Sequence, residues 1–97
     1  MNNLVTVVGK IYEMHYKISD DKKKMFIKIE VPCDFKNEKG EYETEIIPCI
    51  LYSQLAENVD CYCRLGDLIG IRGRITSRSS KIQVVAERVT FLANKEK

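Results

Sequence analysis

Tryptophan is absent from these 97 residues, histidine occurs once, and no apolar run is long enough to cross a bilayer as a helix. The opening Met1-Asn2-Asn3 leads directly into Leu4-Val5-Thr6-Val7-Val8 without the charged and apolar regions of a secretory signal, which points to the cytoplasm and to no membrane partner. Strong charge of either sign is missing too. Lys and Arg number 16 against 14 Asp and Glu, so attraction for an anionic partner must come from how charge is distributed rather than from its sum. The lone His15 has no neighbouring ligand, and Cys61-x-Cys63 is tighter than a zinc knuckle, so no metal and no other cofactor is expected. In a reducing compartment Cys33, Cys49, Cys61 and Cys63 behave as small hydrophobes, the first pair at strand-like positions and the second in an expected helix. No nucleophile, base and orienting group fall into one pattern, which argues for a binding protein rather than an enzyme. With no repeat, linker or low-complexity tract, the chain reads as one domain over residues 1–93 followed by a frayed tail at 94–97.

What is present is organised around Gly66-Asp67-Leu68-Ile69-Gly70-Ile71-Arg72-Gly73-Arg74-Ile75. Period two puts Ile69, Ile71, Gly73 and Ile75 on one face and Leu68, Gly70, Arg72 and Arg74 on the other, as in a strand with an apolar and a basic side. Glycine weakens a strand interior unless a bend or a close approach needs it, so Gly70 and Gly73 suggest the coiled strand of a small barrel. The basic side is either an ordinary solvated face or the seat of an anionic ligand.

Residues 4–16 read as a long first strand bent at Gly9, followed by an exposed turn with Lys22-Lys23-Lys24. In residues 25–31, Met25, Ile27, Ile29 and Val31 alternate with Phe26, Lys28 and Glu30, so an aromatic ring and a lysine share the outer face of the second strand. Pro32 should end that strand or place it at a sheet edge. Phe35 then sits in a polar loop, either folded back on the barrel or offered as a stacking platform. The third strand, 44–52, is apolar on both parities, so both faces are expected to be covered, and Pro48 inside it asks for an edge or a bulge. Ser53 is placed to cap a short helix in which Leu55, Ala56, Val59, Cys63 and Tyr62 gather on one side, with Gly66 just beyond its end. A polar connection over 76–81 then leads to a fifth strand over 82–92.

Three strands, a helix and two more strands, with glycine bends in the first and fourth, match an all-β five-stranded Greek-key barrel with one helix, the OB-fold. That fold takes oligonucleotides or oligosaccharides on its second and third strands.

Four segments carry a family resemblance over nearly the whole chain. They are Asn3-Leu4-Val5-Thr6-Val7-Val8-Gly9-Lys10, then Ile47-Pro48-Cys49-Ile50-Leu51-Tyr52 with Leu55-Ala56-Glu57-Asn58-Val59, then the Gly66 to Ile75 stretch, and Val84-Val85-Ala86-Glu87-Arg88-Val89-Thr90-Phe91-Leu92. In this order they resemble the bacterial single-stranded DNA-binding proteins. The resemblance implies a homotetramer, or else a dimer, that wraps single-stranded DNA in the nucleoid during replication, recombination or repair. It also implies base-stacking positions that fall here on Phe35, Ile46 and Tyr52. Ile46 has no π-face, tryptophan is absent, and the hairpin between the last two strands is short, which together imply a smaller stacking surface. The chain also stops at Lys97, short of the acidic-tipped tail through which the family recruits replication proteins. A PriB-like adaptor acting through protein contacts is the alternative.

A sequence-tolerant binder needs flat apolar rings and cations that follow the backbone. The residues supply Phe26, Phe35 and Tyr52 as rings, and Lys28, Arg72, Arg74 and Arg78 as cations, with Lys10 and Lys22 to Lys24 as weaker candidates. Tyr12 and Tyr16 fit either a ligand surface or a subunit interface.

Overall fold

The computed structural model describes residues 3–78 and 80–93, including every side chain among them except those of Cys33, Asp34 and Arg78. These residues form β1 (Leu4–Ser19), β2 (Lys22–Lys36), β3 (Tyr42–Tyr52), α1 (Ser53–Tyr62), β4 (Leu68–Arg78) and β5 (Lys81–Ala93). The strands close into a barrel in the order β1-β2-β3-β5-β4, the OB-fold expected from the element order. The tail at 94–97 and the side chain of Arg78 lie outside the described residues.

Alternation builds the core. Met25, Ile27 and Ile29 of β2, Cys49 and Leu51 of β3, and Ile69 and Ile71 of β4 all point inward and are buried, with Ala56 and Val59 of α1 packed against them. β1 is long because it serves two neighbours: residues from Leu4 to Lys10 pair with β4, and those from Lys10 to Ser19 pair with β2. Gly9 sits at the changeover, where a Cβ would strike the Glu30 carbonyl of β2. A bulge between Ile11 and Glu13 completes the bend. Gly73 does the same for β4, since a Cβ there would land on the Val85 carbonyl oxygen, beside the register shift that leaves Glu87 as the extra residue of β5.

Several expectations are corrected. Pro32 does not end β2, which runs on to Lys36 through an irregularity in its pairing with β3, but it does lie at a sheet edge, since β1 pairs with β2 only as far as Glu30. Lys22 to Lys24 belong to a strand, because β1 and β2 pair out to Ser19↔Lys22 around a turn in which Asp20 and Asp21 both have positive φ. β4 and β5 likewise pair out to Arg78↔Lys81, so the expected polar connection is mostly ladder. Ser53 does not cap α1: Tyr52 holds the N-cap position, no side chain bonds there, and Ser53 itself has φ 53. Cys63 is the C-cap residue rather than part of the helix, and Tyr62 is 70% exposed. Ile75, on the inward parity, is exposed although Val84 opposite it is buried. On the outer side of β3 only Ile50 is buried, while Ile46 is exposed and Pro48 and Tyr52 are half-buried.

Candidate functional site

The outer face of β2 and β3 is fixed by the same alternation that fills the core. Register sets Lys24 opposite Tyr52, Phe26 opposite Ile50, Lys28 opposite Pro48 and Glu30 opposite Ile46. Phe26 is 40% exposed, and the Lys24 ammonium lies 5.8 Å from the centre of the Tyr52 ring. β1 adds a further column, with His15 beside Phe26 and Glu13 beside Lys28. The Lys28 ammonium is 3.6 Å from a Glu13 carboxylate oxygen, and His15 Nε2 is 3.1 Å from the same oxygen, a bond that the protonated ring nitrogen donates. The His15 bond, aided by the Lys28 charge and opposed by desolvation, holds the Glu13 carboxyl below its usual range.

β5 begins on the far side of this face. Pro48 has no amide hydrogen to give a ladder, and β3 pairs with β5 only at Cys49↔Val84 and Ile50↔Val85, just past the proline. Lys81, Ile82 and Gln83 therefore stand clear of β3 and close a groove over Phe26, Lys28 and Pro48, with Glu13 and His15 on the β1 side. An apolar floor between ammonium groups suits a planar ring carrying an anionic group. Nothing in the sequence marks Ile82 as part of a groove, since an apolar residue in a strand reads as core, whereas the edge expected at Pro48 is the feature that opens it.

At one end of the face Phe35 is 80% exposed near the tip of the β2–β3 hairpin. Tyr42 pairs with Lys36 across that hairpin and is exposed as well, with the Lys36 ammonium 5.4 Å from its ring centre. Tyr42 lies among glutamates, ahead of the expected start of the third strand, and only its register with Lys36 brings it to this face.

Thus Phe26, Lys28, Ile46 and Tyr52 come together, with Phe35 at the end of their sheet. Arg72 and Arg74 do not join them. They point outward from β4, which lies between β1 and β5, with Arg72 paired across to Thr6 and Arg88, and Arg74 to Leu4 and Val85. The Arg74 Nε donates to Glu87 at 2.9 Å. Of the weaker candidates, Lys10 pairs with Glu30 and Leu68 across its two neighbours, and Lys23 is ion-paired with Glu57 of α1. Tyr16 packs against the core, whereas Tyr12 is exposed. Among the described residues no group of three His, Cys, Asp or Glu side chains is placed to hold a metal ion, and no helix is long and apolar enough to cross a membrane.

Comparison with known proteins agrees with this geometry. The profile of the single-strand binding protein family matches residues 2–93. Single-stranded DNA-binding protein 3 of Streptococcus agalactiae is 34% identical over 98% of this chain and 76% of its own length. Single-stranded DNA-binding protein 3 of Listeria innocua is 32% identical over 99% of this chain and 67% of its own length. Single-stranded DNA-binding protein B of Bacillus subtilis is 37% identical over 60% of this chain and 59% of its own length. The chain thus spans between about three fifths and three quarters of the length of these relatives. A barrel of this strand order and a family profile matched from one end of the sheet to the other lead to one assignment: this chain belongs to the single-strand binding protein family.

Proposed function

We propose that this chain binds single-stranded DNA without sequence preference, stacking bases on the outer face of β2 and β3 and protecting the strand during replication, recombination or repair. The observation that carries the reading is the grouping of Phe26, Ile46 and Tyr52 on one open face beside Lys24 and Lys28, with Tyr42 extending it and Phe35 exposed at the hairpin end. Every base has a π-face, so rings at intervals bind strands of any sequence, and lysines between them meet the phosphates. Glu13 and Glu30 on the same face temper that attraction, so stacking carries more of the affinity here than charge does. The family is one of binding proteins rather than enzymes, which agrees with a stoichiometric role.

The same reading makes the protein a homo-oligomer, a tetramer or a dimer. Its support is the first half of β1, which pairs with β4 alone and so has one edge open for a strand of a second copy.

The test is anisotropy of a labelled oligo-dT against a duplex of equal length, using the protein and its Phe35→Ala and Tyr52→Ala variants. Strong preference for the single strand is expected, with each ring worth about 1–3 kcal/mol, so a loss of roughly fivefold or more per variant. Equal affinity for duplex and single strand would overturn the reading. So would variants that melt like the parent and bind as tightly.

A further inference from the structure

We propose that binding of single-stranded DNA draws a proton from solvent onto Nδ1 of His15, and that the imidazolium so formed is a phosphate-binding group of the groove over Phe26 and Lys28. The inference rests on the single-stranded DNA reading and adds a proton-linked contact to it.

His15 stands opposite Phe26 in the β1–β2 ladder, lines that groove and leaves 68% of its side chain exposed. Its Nε2 lies 3.1 Å from a Glu13 carboxylate oxygen. That bond is the main cause holding the Glu13 carboxyl below its usual range, so the carboxylate stays ionised near neutral pH and can only accept. Nε2 therefore carries the hydrogen of the neutral ring, and Nδ1 is left with a bare lone pair. Among the described residues no hydrogen bond reaches Nδ1. A phosphate oxygen brought to that edge of the ring sets lone pair against lone pair until a proton turns Nδ1 into a charge-assisted donor.

The charges around the ring set the sign. On its own strand Glu13 and Lys17 flank it, β2 brings Lys24 and Lys28 to either side of Phe26, and Lys81 of β5 lines the far side of the groove. β3 contributes Pro48 and Cys49, and the Cys49 thiol, pushed up to about 12 by burial, does not titrate near neutrality. In the free protein these lysines oppose a further positive charge, and Glu13 alone favours it. A phosphate laid among the ammonium groups cancels their opposition, so the bound strand favours the protonated ring. Affinity is therefore highest at low pH, where the ring is protonated beforehand, and falls as the pH rises through the range in which histidine ordinarily titrates.

The position also says why one proton matters. The Lys28 ammonium lies 3.6 Å from the same Glu13 oxygen that His15 bonds, so the three side chains form one cluster. With the ring neutral, the lysine and the carboxylate cancel and the cluster offers a phosphate no net charge. Protonation makes it cationic, beside the ring on which a base stacks. His15 is the single histidine of the chain, so no other imidazole titrates with it.

The experiment compares the parent with His15→Gln and His15→Lys, each confirmed folded by thermal melting. Binding to an oligo-dT of roughly 8 nucleotides, within the range one barrel of this fold covers, is measured across a salt series. The series is run at roughly pH 5.5 and again at roughly pH 7.5, to either side of the ordinary histidine range, between which neither thymine nor a phosphodiester titrates. From the lower to the higher pH the parent should lose about threefold to tenfold in affinity, and its slope of log K against log salt should shrink by about 0.7, one phosphate contact. His15→Gln should bind at both values as the parent does at the higher one, and His15→Lys, a permanent cation, as the parent does at the lower. Calorimetry of the parent in two buffers of different ionisation enthalpy should register net proton uptake on binding. A parent affinity independent of pH, a pH dependence that His15→Gln retains, or binding without proton uptake overturns the inference and leaves the stacking site standing. A parent that does not prefer the single strand over a duplex removes both the proton-linked contact and the function it rests on.

Discussion

Ser53 is held at φ 53, a region in which a Cβ crowds the following carbonyl and which glycine enters without that penalty. The cause lies one residue earlier. Tyr52 is still extended, at φ −122 and ψ 154, and α1 begins immediately after it, so the whole change of direction from strand to helix falls on a single residue. A serine at a helix start ordinarily repays its place by bonding a free amide, but no side-chain cap bond forms here. Ser53→Gly therefore removes strain and sacrifices no bond. Allowing for the greater freedom of glycine in the unfolded chain, the gain should be about 0.5–1 kcal/mol, seen as a rise of roughly 2–8 °C in a circular dichroism melt. A lower melting temperature would mean that Ser53 stabilises α1 after all. The sequence signal was sound in kind, a serine between an apolar strand and a helical pattern, but cap geometry depends on a dihedral that residue type does not reveal.

At the scale of an element, the β2–β3 hairpin shows how a loop can position a site. Asn37 accepts through its side-chain oxygen from the amides of Lys39 at 2.9 Å and Glu41 at 3.0 Å, and its own amide donates to the Glu41 carbonyl at 2.7 Å. Gly40, at φ 79, donates back to the Asn37 carbonyl. This closed turn holds the ends of the strands that bear Phe35 and Tyr42. Asn37→Ala should cost about 1 kcal/mol, a fall of roughly 4–8 °C in melting temperature. It should also weaken oligo-dT binding several-fold while the barrel stays folded; unchanged affinity would show that the hairpin tip takes no part in binding. Legibility in the sequence follows the same division. Alternation from Met25 to Val31 placed Phe26 and Lys28 correctly, because one face of that segment meets oil and the other water. It failed at Lys22 to Lys24 and at Lys81, where the hairpins leave the core, both faces are wet, and only backbone pairing makes a strand. The outward parity of Arg72 and Arg74 was legible for the first reason. That they stand on a different face from the aromatic rings was not, because it depends on β4 lying between β1 and β5, a pairing between distant parts of the chain.

For the whole molecule the decisive feature is how the barrel closes. Its radius of gyration is 14.0 Å, against about 13 Å for a compact domain of this size, in keeping with hairpins that run beyond the core. Most neighbouring strands share long antiparallel ladders, but β3 and β5 meet in only two parallel pairs, Cys49↔Val84 and Ile50↔Val85. A seam that short should open at lower free energy than the rest of the barrel. Cys49 reports on it directly, being 2% exposed, with burial pushing its thiol up from 9.0 to about 12. Cys61 is an exposed internal control, and Cys63 is a buried one away from the seam, its thiol raised to about 11 chiefly by burial. Because the thiolate is the reactive form, the closed barrel at pH 8 should let a thiol reagent reach Cys61 at once and Cys49 only through opening. Peptide mapping should then find Cys49 modified before Cys63 and with a shallow dependence on denaturant. Modification of both at one rate, steeply dependent on denaturant, would mean that the barrel opens only as a whole. The sign with pH follows from the raised thiol. The opened form ionises from about 9 upward and the closed form only near 12, so stability of the seam is full below 9 and declines as the pH climbs through that interval. The groove with Phe26 and Pro48 on one side and Ile82 on the other spans this seam, so a strand lying in it binds the closed barrel in preference to the open one. Saturating oligo-dT should therefore slow modification of Cys49 while leaving Cys61 untouched, and equal rates with and without the oligonucleotide would place the bound strand away from the groove.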